Sequence, residues 1–321
     1  MIQKRRTLRK YGVEDKGVYR GEIHEMHIED IKDAVKENQA CALIGEFGSG
    51  KTTISDMAIQ DLTSDQKNLY NIIYVDSADL EKLSIGNILE AIVHDIGGGE
   101  TPFRSNIARS RQTRRILGEK VKAGYKNVLL IDNAHRLHSN VLLALKDEHE
   151  KKYMGLSPLF SIVYVGQEKL LKKLSTYTEV FWRTLILNLQ DKESKWMNYQ
   201  ERINYLETVY GPAITPIARD RIARKTRSPL HMEFIVNEKM EEGLAAGKSV
   251  LDEEVVQLTL RERREALGLS LQQLADKSNV GKTTIHEIET GLPSRKQGDV
   301  EAALEALEQK QFGDNSKRKT A

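Results

Sequence analysis

The feature that most constrains this chain is an eight-residue string, Gly45-Glu46-Phe47-Gly48-Ser49-Gly50-Lys51-Thr52, which fits the pattern G-x-x-x-x-G-K-[ST] in full. A short apolar run at residues 40–44 precedes it, and an amphipathic stretch from Lys51 to about Leu62 follows. A strand passing through a glycine turn into a helix is the context this pattern needs to hold phosphate. The glycines let backbone N–H groups curl around the anion, and the helix N-terminus adds a favourable dipole. Lys51 is placed to reach the β- and γ-phosphates, and the Thr52 hydroxyl to ligate Mg²⁺. Residues 45–52 with Thr53 are therefore the expected nucleotide contacts, and ATP with Mg²⁺ the expected cofactors.

Val128-Leu129-Leu130-Ile131-Asp132 supplies the second half of such a site: four apolar residues bury a strand whose end presents Asp132 to the metal shell. The next residue is Asn133, where many ATPases of this architecture carry a glutamate that orients and deprotonates the attacking water. An amide can hold a water but cannot take its proton, so general-base help worth roughly 10²–10⁴-fold is missing. Slow hydrolysis is expected, with ATP as an assembly switch, unless another carboxylate such as Glu148 substitutes.

Short apolar strands at 71–76, 127–132, 159–165 and 182–189, with a helical pattern at 87–96, predict an α/β fold with a mostly parallel sheet covered on both faces. From about Lys192 the strand signals stop, and 201–210, 216–225 and 230–246 read as helices. Gly247-Lys248-Ser249 reads as a hinge into a last helical module. The expected organisation is a basic arm at 1–30, a P-loop core at 31–190, a helical lid at 191–250, a helical module at 251–310 and a polar tail at 311–321.

No apolar run approaches the ~20 residues of a membrane span, and the basic start leads into no apolar signal core. The single cysteine, Cys41, excludes an internal disulfide and reads as a buried strand residue, so a reducing cytoplasm is the expected compartment. None of His24, His27, His94, His135 and His149 has metal-like spacing. The net charge of +2 hides basic clusters at Lys4, Arg5, Arg6, Arg9 and Lys10, at Arg104, Arg109, Arg111, Arg114 and Arg115, and at Lys317, Arg318 and Lys319. Such patches are the footprint of a phosphate-backbone partner. Arg111, Arg114 and Arg115 fall at i, i+3 and i+4, on one helical face.

The P-loop string, Ile131-Asp132-Asn133-Ala134-His135-Arg136-Leu137 and Val163-Tyr164-Val165-Gly166-Gln167 together resemble the AAA+ ATPases of DNA transposition, the phage Mu B protein and TnsC-type regulators, with an ExeA-related core. The likeness spans about residues 18–250. It implies that Gln167 senses the γ-phosphate or attacking water. It also implies that Arg183 is an arginine finger given to a neighbouring subunit, which requires a homo-oligomeric ring or filament. A second sensor falls at Arg227 or His231. The basic stretch 104–115 lies where the Mu protein has one, and in a filament it lines a channel for double-stranded DNA.

Residues 256–307 closely resemble the lambda-repressor/Cro type of helix-turn-helix. Ser270 with Gln273 makes a capping box for its second helix. Asn279-Val280-Gly281 makes the turn, Ile285 and Ile288 bury the third helix, and Gly291 ends it. Lys282, Thr283, Thr284 and His286 then face a major groove, with Gln272 and Gln273 near phosphates; Glu287 is an acid among them, and a protein-docking use of the module is the alternative. In the Mu protein a small helix-turn-helix precedes the ATPase core, whereas here it follows.

The resemblance thus implies an ATPase whose ATP-dependent, largely sequence-nonspecific assembly on target DNA recruits or activates a transposase. A replication initiator or helicase loader, which also pairs such a core with a C-terminal DNA-binding domain, and an NTPase-linked transcription regulator are the alternatives. A secretion ATPase of the ExeA kind needs a membrane segment, which this sequence lacks.

Overall fold

The computed structural model describes residues 7–13, 18–64, 68–75, 83–190, 196–257 and 259–317; Lys4, Arg5, Arg6, Asp76, Arg318 and Lys319 lie outside them. The chain packs as two compact units, one of Arg20–Glu201 with Ser228–Leu230, the other of Met1–Tyr19, Arg202–Arg227 and His231–Ala321.

The first unit is built on five parallel strands, β1 (Ala40–Ile44), β2 (Leu69–Tyr74), β3 (Tyr125–Ile131), β4 (Ser161–Gly166) and β5 (Thr184–Asn188), in the order β2-β3-β4-β1-β5. Near-continuous apolar runs, such as Ala40–Ile44 with every residue buried, belong to strands covered on both faces. Against one face lie α1 (Glu22–Lys36) and α2 (Lys51–Ser64), through Ile28, Ile31, Val35, Ile54, Met57 and Leu62. Against the other lie α3 (Ile85–Ile96), α4 (Asn106–Lys122), α5 (Ser139–His149) and α6 (Glu168–Thr176), through residues such as Ile92, Leu117, Leu142 and Leu170. A short helix, α7 (Thr178–Phe181), leads into β5. Because β1, β3 and β4 are parallel and in adjoining register, their ends form one edge, where the loops after Ile44, Ile131 and Gly166 converge. Cys41 is fully buried on β1, and burial pushes its thiol up to about 12, so it has no reactive thiolate.

The second unit is helical. It holds α8 (Tyr199–Tyr210) beyond its first turn, α9 (Pro216–Lys225) and most of α10 (Pro229–Ala245). Thr215 caps α9 by accepting the Ala218 N–H, and Pro216 stands at its first helical position. Gly247, at φ 75°, follows α10, and Leu251 then exchanges backbone hydrogen bonds with Ala213 and Thr215, so the expected hinge is pinned on its C-terminal side.

In the same unit α11 (Leu260–Ala266), α12 (Leu271–Ser278), α13 (Lys282–Glu289) and α14 (Gln297–Lys317) close around Leu274, Ile285, Ile288, Val300 and Leu304. The Ser270–Gln273 capping box is present, Asn279 makes the turn in the left-handed region at φ 55°, and Gly291 at φ 89° ends α13. Arg264 on α11 makes a bidentate pair with Glu289 on α13, at 2.7 and 3.0 Å, and donates to the Leu269 carbonyl. Both side chains are nearly removed from solvent, so each relies on the other for its hydrogen bonds. No helix among the described residues is long and apolar enough to cross a membrane.

Candidate nucleotide site and nucleic-acid interface

The loop after β1 is held in a phosphate-cradling shape. Gly45 donates its N–H to the Gly166 carbonyl at the end of β4, at 3.1 Å. Gly48 has φ +76°, and a Cβ there would stand 2.7 Å from the Leu230 side chain, so glycine is required both for conformation and for space. Gly50 is left-handed as well, and Ile54 donates to its carbonyl to begin α2. Ser49 is buried, Glu46, Thr52 and Thr53 are exposed, and Phe47 stands 79% exposed. Lys51 Nζ folds over the loop and donates to the Glu46 carbonyl at 2.6 Å. Burial draws this ammonium below its ordinary pKa, against the charges of Asp132 and Glu46.

Thr52 Oγ1 donates to Asp132 Oδ2 at 3.1 Å across 80 residues of sequence. A hydroxyl and a carboxylate meeting beside a phosphate loop are the hard oxygen donors that suit Mg²⁺ shared with substrate phosphates. Asp132 Oδ1 accepts the Asn133 N–H at 2.6 Å. Asn133 itself is left-handed, φ 54°, a conformation asparagine tolerates better than most residues.

The turn beyond it is locked by contacts that local spacing does not announce. Lys173 Nζ on α6 donates to the carbonyls of His135 and Leu137, both at 2.7 Å. His135 Nδ1 accepts the backbone N–H of Gln167 at 3.4 Å, which places the ring proton on Nε2. Burial first, then Lys173, Lys51, Arg136 and Lys169, hold the His135 imidazole below its usual pKa, so it stays a neutral acceptor at neutral pH. Gln167 caps α6 next to Gly166, whose carbonyl holds Gly45. The structure thus gathers Lys51, Thr52, Asp132, Asn133 and Gln167 along one sheet edge. A ring pair missed in the sequence flanks them: His24 and Trp196 lie 4.4 Å apart, and Trp196 reaches within 3.8 Å of where a Gly50 Cβ would stand.

Glu148 does not belong to this edge. It accepts from Ser110 Oγ at 3.0 Å and pairs with Lys151, while the adjacent His149 bonds the Asn38 carbonyl just before β1 begins. That is the opposite end of the sheet, so Glu148 cannot replace the missing carboxylate. The acid that senses Asp132 is Asp56, one turn beyond Thr52 on α2, whose carboxyl is raised by burial and then by the Asp132 charge.

Arg183 also stands at the opposite end. It precedes Thr184, which pairs with Ala40 at the start of β1, so about 13 Å of strand lies between it and the phosphate loop. Its Nε pairs with Glu150 at 2.6 Å and its Nη1 donates to the Glu179 carbonyl.

The five arginines of the basic stretch have different surroundings. Arg109 donates to the carbonyls of Phe103 and Gly86, joining α4 to α3. Arg115 is paired with Glu100 and Glu119. Arg104 and Arg111 are exposed, and Arg114 is half-buried. In the helical unit Lys282, Thr283 and His286 are exposed along α13 and Thr284 is half-buried. Gln273 spends its side chain on the Ser270 cap, and Gln272 donates to Asp276. Beside the C-terminal end of α13 opens a cleft of about 650 Å³ lined by Glu253, Glu254, Glu289, Glu301, Glu305 and Glu308 with Arg221 and Arg263. This excess of acid repels a polyanion and leaves the N-terminal half of α13 as the face compatible with phosphate.

A parallel sheet with this phosphate loop and Asp132 edge, followed by helices and a four-helix module built on a helix-turn-helix, defines an AAA+ P-loop fold with a C-terminal helix-turn-helix domain. Comparisons with known proteins agree. A family model described as an AAA domain matches residues 34–174, and one described as a helix-turn-helix domain matches residues 258–311. Among solved structures the chain is similar to Cdc6p from Pyrobaculum aerophilum, with 13% identity and a TM-score of 0.55 over 94% of this chain and 85% of that one. It is also similar to the Aeropyrum pernix ORC2 protein in ADPNP–ADP complexes, with 13% identity and a TM-score of 0.51 over 90% and 80%. Drosophila ORC bound to DNA gives 12% identity and a TM-score of 0.53 over 97% and 79%. At such identities the likeness is one of fold. No curated protein sequence matches the chain.

Proposed function

We propose that this protein is an ATP-dependent, largely sequence-nonspecific DNA-binding regulator that assembles on target duplex as a ring or filament and there recruits or activates a transposase. The observation that carries the assembly is Arg183, which cannot reach its own phosphate loop and whose guanidinium, held by an exposed pair with Glu150, stands at the surface where a neighbour's loop can take it. Thr52 and Asp132 would hold Mg²⁺, which would supply positive charge to neutralise the phosphates. Lys51 exchanges the Glu46 carbonyl for the β- and γ-phosphates, the loop N–H groups of residues 45–52 hold them, and Thr53 lies at the entrance to α2. Gln167 fixes the γ-phosphate or the attacking water, held in place through His135 and Lys173. Asn133 positions water without taking its proton, so turnover is slow and ATP acts as a switch.

The five-segment organisation (1–30, 31–190, 191–250, 251–310 and 311–321) remains part of this reading, with the cytoplasm as the compartment. Electron microscopy with a long random-sequence duplex tests it. Assemblies on DNA with ATP, and none with ADP or without nucleotide, are expected; a monomer binding DNA equally in all three states would overturn it.

Arg104, Arg111 and Arg114 are the DNA-contacting arginines of the core, and Lys282, Thr283, Thr284 and His286 those of the helix-turn-helix. Arg109 and Arg115 serve mainly to hold the loops around α4. Replacing Arg104, Arg111 and Arg114 together by alanine should reduce the slope of log affinity against log salt by about 2–3, since each phosphate contact contributes about one. A fluorescence-anisotropy salt titration on the full chain measures it, and an unchanged slope moves the interface elsewhere.

A replication initiator or helicase loader is a second reading, favoured by the fold likeness to Cdc6 and ORC proteins across nearly the whole chain. Footprinting separates the two: protection of one preferred sequence supports the initiator, and even coverage of any duplex the transposition regulator.

A further inference from the structure

Trp182 is the largest side chain left standing in solvent, 78% exposed, at the junction between α7 and β5. It does not hang from a loose loop. Its backbone N–H donates to the Thr178 carbonyl, and Phe181, packed on the core, meets its ring edge to face with centroids 5.8 Å apart. The neighbouring Arg183 pairs with Glu150 and donates to the Glu179 carbonyl, and Glu179 pairs with Lys146, so charge stands beside the indole. The residue between Trp182 and the strand is Arg183. A rigid indole next to an arginine, with charge beside it, is the composition of an interface anchor.

The opposite end of the sheet carries its complement: the phosphate loop, which gathers anionic phosphates, and Phe47 at 79% exposure. The two ends lie on one chain but point apart, so one copy can satisfy the other and neither can satisfy itself. Such a head-to-tail contact is heterologous and generates rings or filaments.

We infer that Trp182 is the apolar anchor by which one copy of this chain docks beside the phosphate loop of the next, so that Arg183 reaches the bound nucleotide only where Trp182 is buried. This rests on the reading that Arg183 acts in trans, and it names the surface that brings it there.

Sedimentation velocity of the full chain with Mg²⁺ and a non-hydrolysable ATP analogue, on duplex DNA, tests the anchor. Trp182→Ala should raise the concentration at half-assembly by about 30-fold or more, and Trp182→Phe by less. Binding of a fluescent ATP analogue by the dilute monomer should be unchanged, because Trp182 lies a strand length from the loop. On assembly the wild-type emission should shift to shorter wavelength and its acrylamide quenching should fall, with Trp182→Phe reporting the share due to Trp196. If wild type and Trp182→Ala assemble at the same concentration, or if Trp182 stays open to quencher in the assembly, the anchor is refuted while assembly stands, and the patch serves a different partner. If wild type does not assemble with any nucleotide, the trans reading fails and takes this inference with it.

Discussion

Arg183→Ala should lower ATP turnover by about 10³-fold or more while leaving the affinity of the monomer for ATP unchanged. An arginine presented to the γ-phosphate is worth about 10³–10⁵ in rate, and in this molecule it lies at the wrong end of the sheet to act on its own nucleotide. The decisive form of the experiment mixes two inactive proteins. Lys51→Ala removes a phosphate ligand but keeps its arginine, and Arg183→Ala keeps its phosphate loop. Subunits of the first should supply the missing guanidinium to subunits of the second, so a mixture should recover a measurable fraction of phosphate release. Additive inactivity at every ratio, with both variants assembling normally, would remove the trans assignment. The ion pair with Glu150 offers little resistance to such a transfer, since both partners are exposed and a pair of this kind contributes at most about 1 kcal/mol.

The second large effect concerns Asn133. A glutamate there supplies the proton acceptor that the asparagine cannot, so Asn133→Glu should speed single-turnover phosphate release by about 10²-fold or more. The backbone sets the cost. Asn133 holds φ 54°, and a longer side chain in the left-handed region loses roughly 1–2 kcal/mol, a few degrees of melting temperature in a unit of this size. A faster but less stable protein is therefore expected, and assemblies on DNA that dissolve sooner after ATP is added. Quenched-flow phosphate release and a thermal melt on the same preparation read both quantities. If Asn133→Glu gains nothing and Asp56→Asn abolishes the basal rate, the proton acceptor is Asp56 and the chain is an ordinary ATPase with its base moved one helical turn.

The parts of the molecule legible in the sequence are those in which the chemistry sits within one turn or one strand. The phosphate string, the buried run ending at Asp132, the Ser270–Gln273 cap, the turn at Asn279 and the stop at Gly291 are local patterns, and each appears where spacing put it. Strand ends shifted by a residue or two: the run at 182–189 begins its pairing only at Thr184, because Trp182 and Arg183 turn outward before the ladder starts. Helix α1 escaped notice because His24 and His27 occupy its buried face beside Ile28 and Ile31, which breaks the apolar stripe. Burial lowers the His24 pKa to about 4, so the ring packs there as a neutral aromatic. The Lys173 clamp on the Asp132 turn, the His135 bond to Gln167 and the ties of Arg109 and Arg115 join residues far apart in sequence or cross between elements. Nothing in local spacing distinguishes an arginine that bonds a helix-end carbonyl from one that waits for a phosphate.

The sheet itself carries a final consequence. With the phosphate loop after the last residue of β1 and Arg183 before the first residue of β5, every subunit has a head and a tail. A stack of such subunits inherits that polarity, so one terminus displays an unanswered phosphate site and the other an unused guanidinium. On a duplex, whose backbone looks alike in both directions, the assembly would impose a left and a right, and a protein recruited to one terminus would act on one side of the covered segment only.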